Sequence, residues 1–450
     1  MKVTQYITGA GLTMQKRIIT PSEKISNSST LSAGDTPVSE DFLGFGMAIT
    51  GSSCYNLSLM EPTERRAFLE SIYTKKGPGL SVGRISVGSC DYAKDLYSYD
   101  DVAGDVELRH FSIDRDREYI IPIIKEILEV NPDLYLFSSP WSPPAWMKAG
   151  DGMCGGFMLD EYVDCYADYY VRFLQEYEKC GIHISALTPQ NEPMTSQRGY
   201  MPACIWHPAT EARFIKVLRR KLKEQGMDVK IWMFDHNFID TDIRVRWQLE
   251  HCEGLRDDCD GIAYHYYTGA IEETDELRAD YPDLRMHFTE CSPLLDDHYD
   301  TDWCKWAILM SKVLNHGYGS FTAWNIMLNE NGGPNLAFFT CGGLVTRHSE
   351  TGALSYSGQY RALAHIASFM DRDSKVYPLR ISKNDASMYG YPVRFTPLQA
   401  SLIENSDGTR VYFIINPGVE KKQVQFRVDD TYYNVEMLPD TVSTVVVEKM

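Results

Sequence analysis

Two glutamates carry the features of this chain most directly readable as chemistry. Glu192 stands in Thr188-Pro189-Gln190-Asn191-Glu192-Pro193, directly after the apolar run 184–187, and Glu290 stands in His287-Phe288-Thr289-Glu290-Cys291-Ser292. A carboxylic acid at the end of a buried strand can protonate a glycosidic oxygen when its surroundings raise its pKa toward neutrality. The amide beside it, Asn191, can bind a sugar 2-hydroxyl, a bond that strengthens as charge develops at the anomeric carbon. A second carboxylate about 5–5.5 Å from the first is the nucleophile of a retaining glycosidase. Each has a plain alternative: Asn, Glu and Pro cap helices, and Glu290 could be a surface loop residue. The pair is more specific than either member.

Such a pair needs a frame that brings it together. β-rich runs at 44–50, 80–89, 134–138, 184–188, 229–234, 261–266, 285–289 and 320–325 alternate with helical stretches at 64–73, 117–130, 161–180, 210–225, 242–251, 303–315 and 359–369. In 117–130, Ile120, Ile121, Ile124, Ile127 and Leu128 recur at helical spacing. Strands separated by helices run parallel, and eight such units suit a closed barrel with its site at the strands' C-terminal ends. An open doubly wound sheet is less apt, since no G-x-G-x-x-G follows the first strand. Glu192 ends the fourth strand and Glu290 the seventh, roughly opposite positions in such a barrel. The fold class expected is therefore α/β, a (β/α)8 TIM barrel over 41–375. Runs at 400–404, 410–416, 423–428, 432–437 and 442–448, separated by turn signals such as Asn416-Pro417-Gly418, give a small all-β sandwich over 376–450. Strand-like runs at 2–7 and 17–19 add residues 1–40 to it, so the sandwich is built from both chain ends.

Other polar and aromatic residues fall at strand ends. Arg84 lies in the second run, Asp91 and Trp141 follow the second and third, His265, Tyr266 and Tyr267 close the sixth, and Trp324 closes the eighth. Indoles stack on pyranose faces, and a carboxylate accepts bonds from two hydroxyls at once. Core packing is the plain alternative for Trp146 and Tyr266. Arg84 is either a structural ion-pair partner or a cation that keeps Glu290 ionised.

Composition narrows the partners. The formal net charge of −18 disfavours nucleic acid and anionic membrane surfaces, and the one basic run, 219–223, reads as a solvated helix face. Eleven cysteines, an odd number without C-x-x-C, and the absence of H-E-x-x-H argue for free thiols and neither a metal nor a cofactor. No apolar stretch reaches membrane-span length, and the first twenty residues lack the apolar core of a signal peptide. A cytoplasmic location is expected unless a leader was removed, and oligomeric state is left open. The expected partner is a β-linked sugar.

The ordered segments GFGMAITGSSCYNL, RISVGSCDYA, SSPWSPPAWMK, TPQNEP, GIAYHYY, FTECS and AWNIMLNENGGPN, from Gly44 to Asn335, resemble those of the glucosylceramidase family, glycoside hydrolase family 30. That resemblance implies a barrel with a β-sandwich from both chain ends. It implies Glu192 as acid/base, Glu290 as nucleophile and Asn191 as the 2-hydroxyl ligand. Asp91 and Trp141 match residues holding the distal hydroxyls of the −1 sugar, Trp324 an aromatic platform, and Arg84 and Tyr267 neighbours that orient the nucleophile. His265 joins the expected substrate-binding set. Three departures loosen ceramide as the leaving group: Ala323 where lipid-hydrolysing members have aspartate, Phe339 where they have a sugar-facing asparagine, and a less aromatic Met201-Pro202-Ala203-Cys204-Ile205-Trp206.

The reading that results is an exo-acting retaining β-glycosidase, foremost a β-glucosidase. β-1,6-glucanase, β-xylosidase, β-fucosidase and β-galactosidase activities are its rivals within the family. A non-catalytic carbohydrate-binding barrel would most simply lack one carboxylate. A phosphosugar isomerase or aldolase would want a phosphate nest and often a strand-end lysine, and neither is found.

Overall fold

Eight strands close into a barrel, each parallel to its neighbours. In the computed structural model, which describes all residues except 27, 151, 197–199, 383–396 and 449–450, the first four are β1 (Phe45–Ala48), β2 (Val82–Ser86), β3 (Tyr135–Ser139) and β4 (Ala186–Leu187). The others are β5 (Lys230–Asn237), β6 (Gly261–His265), β7 (Arg285–Glu290) and β8 (Phe321–Ala323). All eight expected runs are strands, with ends displaced by up to a few residues.

Both faces of each strand are largely buried, which is why the runs are mostly apolar. Alternate residues serve different cores. Leu136, Leu187, Ile231, Met233 and Ile262 pack outward against the helices. Val82, Phe137, Ala186, Trp232 and Ala263 fill the barrel interior. Trp232 stacks on His287 with ring centroids 3.7 Å apart, completing that plug. Two residues further along each strand, the period of two brings Arg84, Ser139, Thr188, His265 and Thr289 inward as a second, polar layer. On β5 the same count would bring in Phe234. Instead the pairing with β6 slips between Phe234 and His236, and Phe234 and Asp235 take φ of 79° and 62°. This bulge turns Phe234 outward and puts Asp235 in the polar layer.

The helices follow the expected amphipathic pattern, with local differences. Ile120–Val130 buries its isoleucine stripe and starts after a separate 3-10 turn, Asp114–Arg117. The stretch expected as a helix at 242–251 is a π-helical turn, Thr241–Arg246, running into Trp247–His251. Its wider winding accompanies a buried Arg244, which pairs with the buried Glu211 of helix Pro208–Glu224. Glu211 Oε1 also accepts the backbone N–H of Phe234 at 3.1 Å, and Oε2 the Gln248 amide at 3.1 Å. One carboxylate thus holds the bulge and the following turn together. Among the described residues three α-helices lie outside the expected stretches: Gly51–Ser58, capped by the Thr50 side chain, and the short Leu255–Asp258 and Asp275–Asp280. Gly- and Ser-rich or single-turn segments carry little periodicity to read.

Both chain ends build the β-sandwich. A six-stranded sheet joins Lys2–Gly9 and Leu12–Ile19 to Lys375–Tyr377, Gln399–Glu404, Arg410–Asn416 and Thr441–Glu448. A five-stranded sheet joins Pro21–Ser22 and Ser29–Ala33 to Leu379–Ile381, Lys422–Val428 and Thr431–Met437. The expected β unit at 376–450 includes 383–396 and 449–450, which lie outside the described residues. The apolar run of Arg410–Asn416 divides by parity. Val411, Phe413 and Ile415 face the barrel helices, while Tyr412 and Ile414 face the second sheet. Ser401 Oγ meets Ser311 Oγ of helix Trp303–Asn315 at 2.8 Å, and Trp303 donates to the Asp440 carbonyl at 3.0 Å.

Removing one member of a buried ion pair leaves its partner unpaired in low dielectric, a loss of about 3–5 kcal/mol. Glu211→Gln is therefore expected to lower the unfolding free energy by roughly 3 kcal/mol, measured in urea. A loss below about 1 kcal/mol would rule out the bracing role given to Glu211.

Candidate active site

Arg84 lies at the centre of the polar layer with no exposed side-chain surface. One guanidinium nitrogen contacts Glu290 Oε2, and the other donates to Asn191 Oδ1 and Asp235 Oδ2, both at 2.8 Å. Asp235 is as buried as Arg84. It is also met by the hydroxyls of Ser139, Thr188 and Thr289 at 2.7–2.8 Å and by His265 Nε2 at 3.0 Å. Burial alone would raise its pKa, but Arg84 and His265 hold it well below the usual carboxylate range. His265 responds in kind. Burial opposes its charge, yet Glu290 and Asp235 outweigh that and raise it to about 9.

The two glutamates project above this layer. Tyr267 donates to Glu290 Oε1 at 2.9 Å, and burial keeps the phenol protonated. His265 Nδ1 lies 3.2 Å from Glu192 Oε1 and 3.8 Å from Glu290 Oε1. A single nitrogen touching both carboxylates is incompatible with the widest gaps, up to about 9.5 Å, of inverting pairs. Glu192 has a φ of 49°, a left-handed value rare for a residue with a side chain. The cost is met by its setting: the N–H of Glu192 donates to the Asp235 carbonyl at 3.0 Å, and that of Asn191 to Pro140 at 2.8 Å. Buried Gln190 pins the same segment, donating to the Trp141 carbonyl at 2.7 Å and accepting from the Trp206 indole at 3.2 Å.

Burial pushes both glutamates upward. The hydrogen bond from His265 and the charge of the two histidines bring Glu192 down, while for Glu290 burial prevails and the shift is upward. His265 and Arg84 lower both carboxyls, and the charge of Glu192 adds to the upward shift of Glu290.

A cavity of about 350 Å³ opens over the pair, with Asp91, Trp141, Asn191, Tyr267 and Trp324 in its walls. Asp91 Oδ1 is buried and without a hydrogen-bond partner. Burial, then repulsion from Glu290 and Glu192, raises the Asp91 pKa well above its ordinary value. An acceptor left unpaired in a pocket wall costs free energy until a ligand hydroxyl supplies the donor. Trp141 and Trp324 stack at 5.0 Å, and Arg84 lies 4.9 Å from the Trp141 ring centroid. Tyr200 and Phe338 meet edge to face at 5.1 Å, and Leu294 and Phe339 line the cavity mouth.

Of the expected residues, Glu192, Glu290, Asp91, Trp141, Asn191, Tyr267 and Trp324 line this cavity. Arg84 sits behind Glu290, its guanidinium in contact with Oε2. His265 departs from expectation. Its side chain is wholly buried below the cavity floor, so it contacts the carboxylates and does not line the sugar site. Trp146 is held against Tyr162 and bonded to the Asp100 carbonyl, away from the cavity. Ala323 packs in the outer core, whereas Phe339 does line the cavity.

Several residues escaped sequence reading. Asp235 is central, and the one signal was an acidic residue inside the apolar run KIWMFDHN. His236 and Asn237 line the cavity beside it. Lys148 is another: its ammonium reaches Ser142 Oγ, Met153 O and Ala203 O at 2.7–2.8 Å. Burial lowers it to about 8, and its three hydrogens all meet oxygen. It ties the loop of Trp141 to the strand Ala203–Ile205, which pairs with Cys154–Met158.

A barrel with facing carboxylates, an unpaired acceptor and paired indoles in one pocket defines a glycoside hydrolase. The match of the Glycosyl hydrolase family 30 TIM-barrel domain to residues 42–370 makes the assignment specific: the chain belongs to glycoside hydrolase family 30 and is a β-glycosidase. It is similar to the endo-1,6-β-D-glucanase of Neurospora crassa, 29% identical over 402 residues, 86% of this chain and 81% of that one. It is similar too to putative glucosylceramidase 3 of Caenorhabditis elegans, 30% identical over 363 residues, 74% of this chain and 68% of that one. The solved structure of the endo-β1,6-glucanase BT3312 superposes with a TM-score of 0.87 at 27% identity, over 99% of this chain and 100% of that one.

A hydrogen bond to a charged group contributes about 1.5–3 kcal/mol. Tyr267→Phe, which removes one from Glu290, is expected to slow the first chemical step roughly ten- to a hundredfold with KM changed far less. Pre-steady-state kinetics on an aryl glycoside measures this. An unchanged rate would rule out a part for the Tyr267–Glu290 hydrogen bond in turnover.

Proposed function

We propose that this protein cleaves β-glucosides with retention, Glu290 acting as nucleophile and Glu192 as acid/base. The observation that carries the reading is the single His265 nitrogen in contact with both carboxylates above a pocket walled by an unpaired acceptor. In the first step a Glu290 oxygen bonds to the anomeric carbon as the bond to the leaving oxygen breaks. The Glu192 proton passes to that oxygen. In the second, water attacks the anomeric carbon, gives a proton to Glu192 and releases Glu290. Asn191 addresses the 2-hydroxyl, Asp91 the distal hydroxyls, and the stacked indoles an apolar face of the ring.

The substrate class best supported is a β-1,6-linked glucan or its oligosaccharides. The support is the likeness over most of the chain to an endo-1,6-β-D-glucanase and the pocket, whose volume suits one pyranose with part of the next residue. A second reading, a glucoside with an apolar aglycone, is favoured by Leu294 and Phe339 in the cavity wall.

Two tests follow. Glu290→Gly and Glu192→Ala should each lose at least about a thousandfold in kcat, and azide should restore turnover. The azide product should be the α-glycosyl azide from Glu290→Gly and the β-glycosyl azide from Glu192→Ala, and proton NMR of the wild-type reaction should show the β-anomer first. Wild-type rates in either variant without azide contradict the roles. A panel of gentio-oligosaccharides, aryl β-glycosides and glucosylceramide in detergent decides the substrate. kcat/KM is expected to be highest on the β-1,6-linked compounds, and a higher value on the lipid would favour the second reading.

A further inference from the structure

Beside Glu192 stand two imidazoles that take no proton and touch no reacting atom in the proposed cleavage. His236 and His265 approach Glu192 from β5 and β6, their rings nearly perpendicular. His265 Nδ1 lies 3.2 Å and His236 Nδ1 3.8 Å from the same Glu192 Oε1. The ligand atoms of the three side chains all fall within 4.8 Å of one another. A tetrahedral zinc ion with bonds of about 2.0–2.1 Å sets its ligand atoms roughly 3.4 Å apart, so small side-chain rotations suffice.

The outer shell is also in place. A metal-bound imidazole is normally fixed by a carboxylate on its other nitrogen. His265 Nε2 faces Asp235 Oδ1 at 3.0 Å, and His236 Nε2 faces Asp240 Oδ2 at 3.9 Å. Both rings therefore turn Nδ1 toward Glu192 and are backed by an acid. Glu192 and His236 line the cavity, which leaves the fourth position open to water.

We propose that Glu192, His236 and His265 form a binding site for a divalent transition-metal ion of the zinc class, and that its occupancy switches the enzyme off. Coordination takes the Glu192 oxygen that must carry the proton, displaces any proton on His265 Nδ1, and leaves Nε2–H donating to Asp235. The bound ion also occupies the space of the leaving oxygen. The site adds no step to glycoside cleavage. It makes the acid/base a metal-sensitive element, relieved by chelation.

Zinc chloride is the probe, used on the full chain. Calorimetry should show one tight site in the wild type, independently of any substrate assignment. With a β-glycoside that the enzyme turns over, zinc should cut the rate at least tenfold and EDTA should restore it. His236→Gln should lose the site and keep most of its own metal-free rate in the same zinc. Asp240→Asn should bind roughly ten- to a hundredfold more weakly, the usual effect of removing such an outer partner. Absence of zinc binding to the wild type overturns the proposal, as does wild-type affinity in His236→Gln. Cys341 is a thiol in the cavity wall, so inhibition abolished in Cys341→Ser but kept in His236→Gln would also overturn it. Should His236→Gln fail to fold, the wild-type and Asp240→Asn titrations decide in the same way.

Discussion

Arg84 is a guanidinium without access to water, and the mouth of the barrel is organised around giving it oxygens. Desolvating such a cation is expensive unless paired charges and further acceptors surround it. Asp235 supplies one charge, Glu290 the other, and Asn191 a neutral acceptor. These three sit on three different strands or strand ends, so satisfying one buried cation fixes the relative positions of β2, β4, β5 and β7. Glu290 is thereby placed and oriented, with Tyr267 holding its other oxygen. Asp235 in turn needs more donors than Arg84 offers, and the hydroxyls of β3, β4 and β7 with the His265 imidazole provide them. The layer closes on itself, leaving the two glutamates and Asp91 to face the cavity.

The bulge in β5 is the geometric condition for this layer. An unbroken strand would present Phe234 at the position Asp235 occupies, and Arg84 would lack its main counter-ion. The strained φ values at Phe234, Asp235 and Glu192 lie in one patch, two of them on the bulge and the third on the residue whose N–H bonds to it. Glu211, on the far side of the strand, stabilises the displaced backbone from outside. Strain at the chemistry is thus supported by a helix that never touches substrate.

How much of this was legible follows from what periodicity records. The eight strands and their helices were readable because burial on both faces makes long apolar runs, and the ends of the fourth and seventh strands located Glu192 and Glu290. Arg84 was visible as a lone cation in such a run. Asp235 was not singled out, because a bulge breaks the period on which inward and outward positions are counted. His265 was given to the sugar because it ends a strand, yet parity puts it one layer deeper, under the cavity floor. The small sheet that joins Lys148–Ala149 and Cys154–Met158 after β3 to Ala203–Ile205 after β4 depends on pairing between distant segments, which no local pattern announces. Lys148 belongs to the same case, since its three acceptors come from three separate segments.

The division of labour between barrel and loops explains why the reaction is better defined than the leaving group. Glu192 and Glu290 sit at strand ends, where Arg84 and Asp235 lock them. Tyr200, Phe338 and Phe339 sit on loops, the first two joined by a ring contact. A ring contact is worth about 0.5–1.5 kcal/mol and is tolerant of angle, whereas the charged layer is neither weak nor tolerant. Phe339 shows the consequence. An apolar ring there offers the cavity no hydrogen bond, whereas Asp91 and Asn191 in the same wall do. Substitution at this position would therefore change an apolar contact while the charges beneath stay as they are.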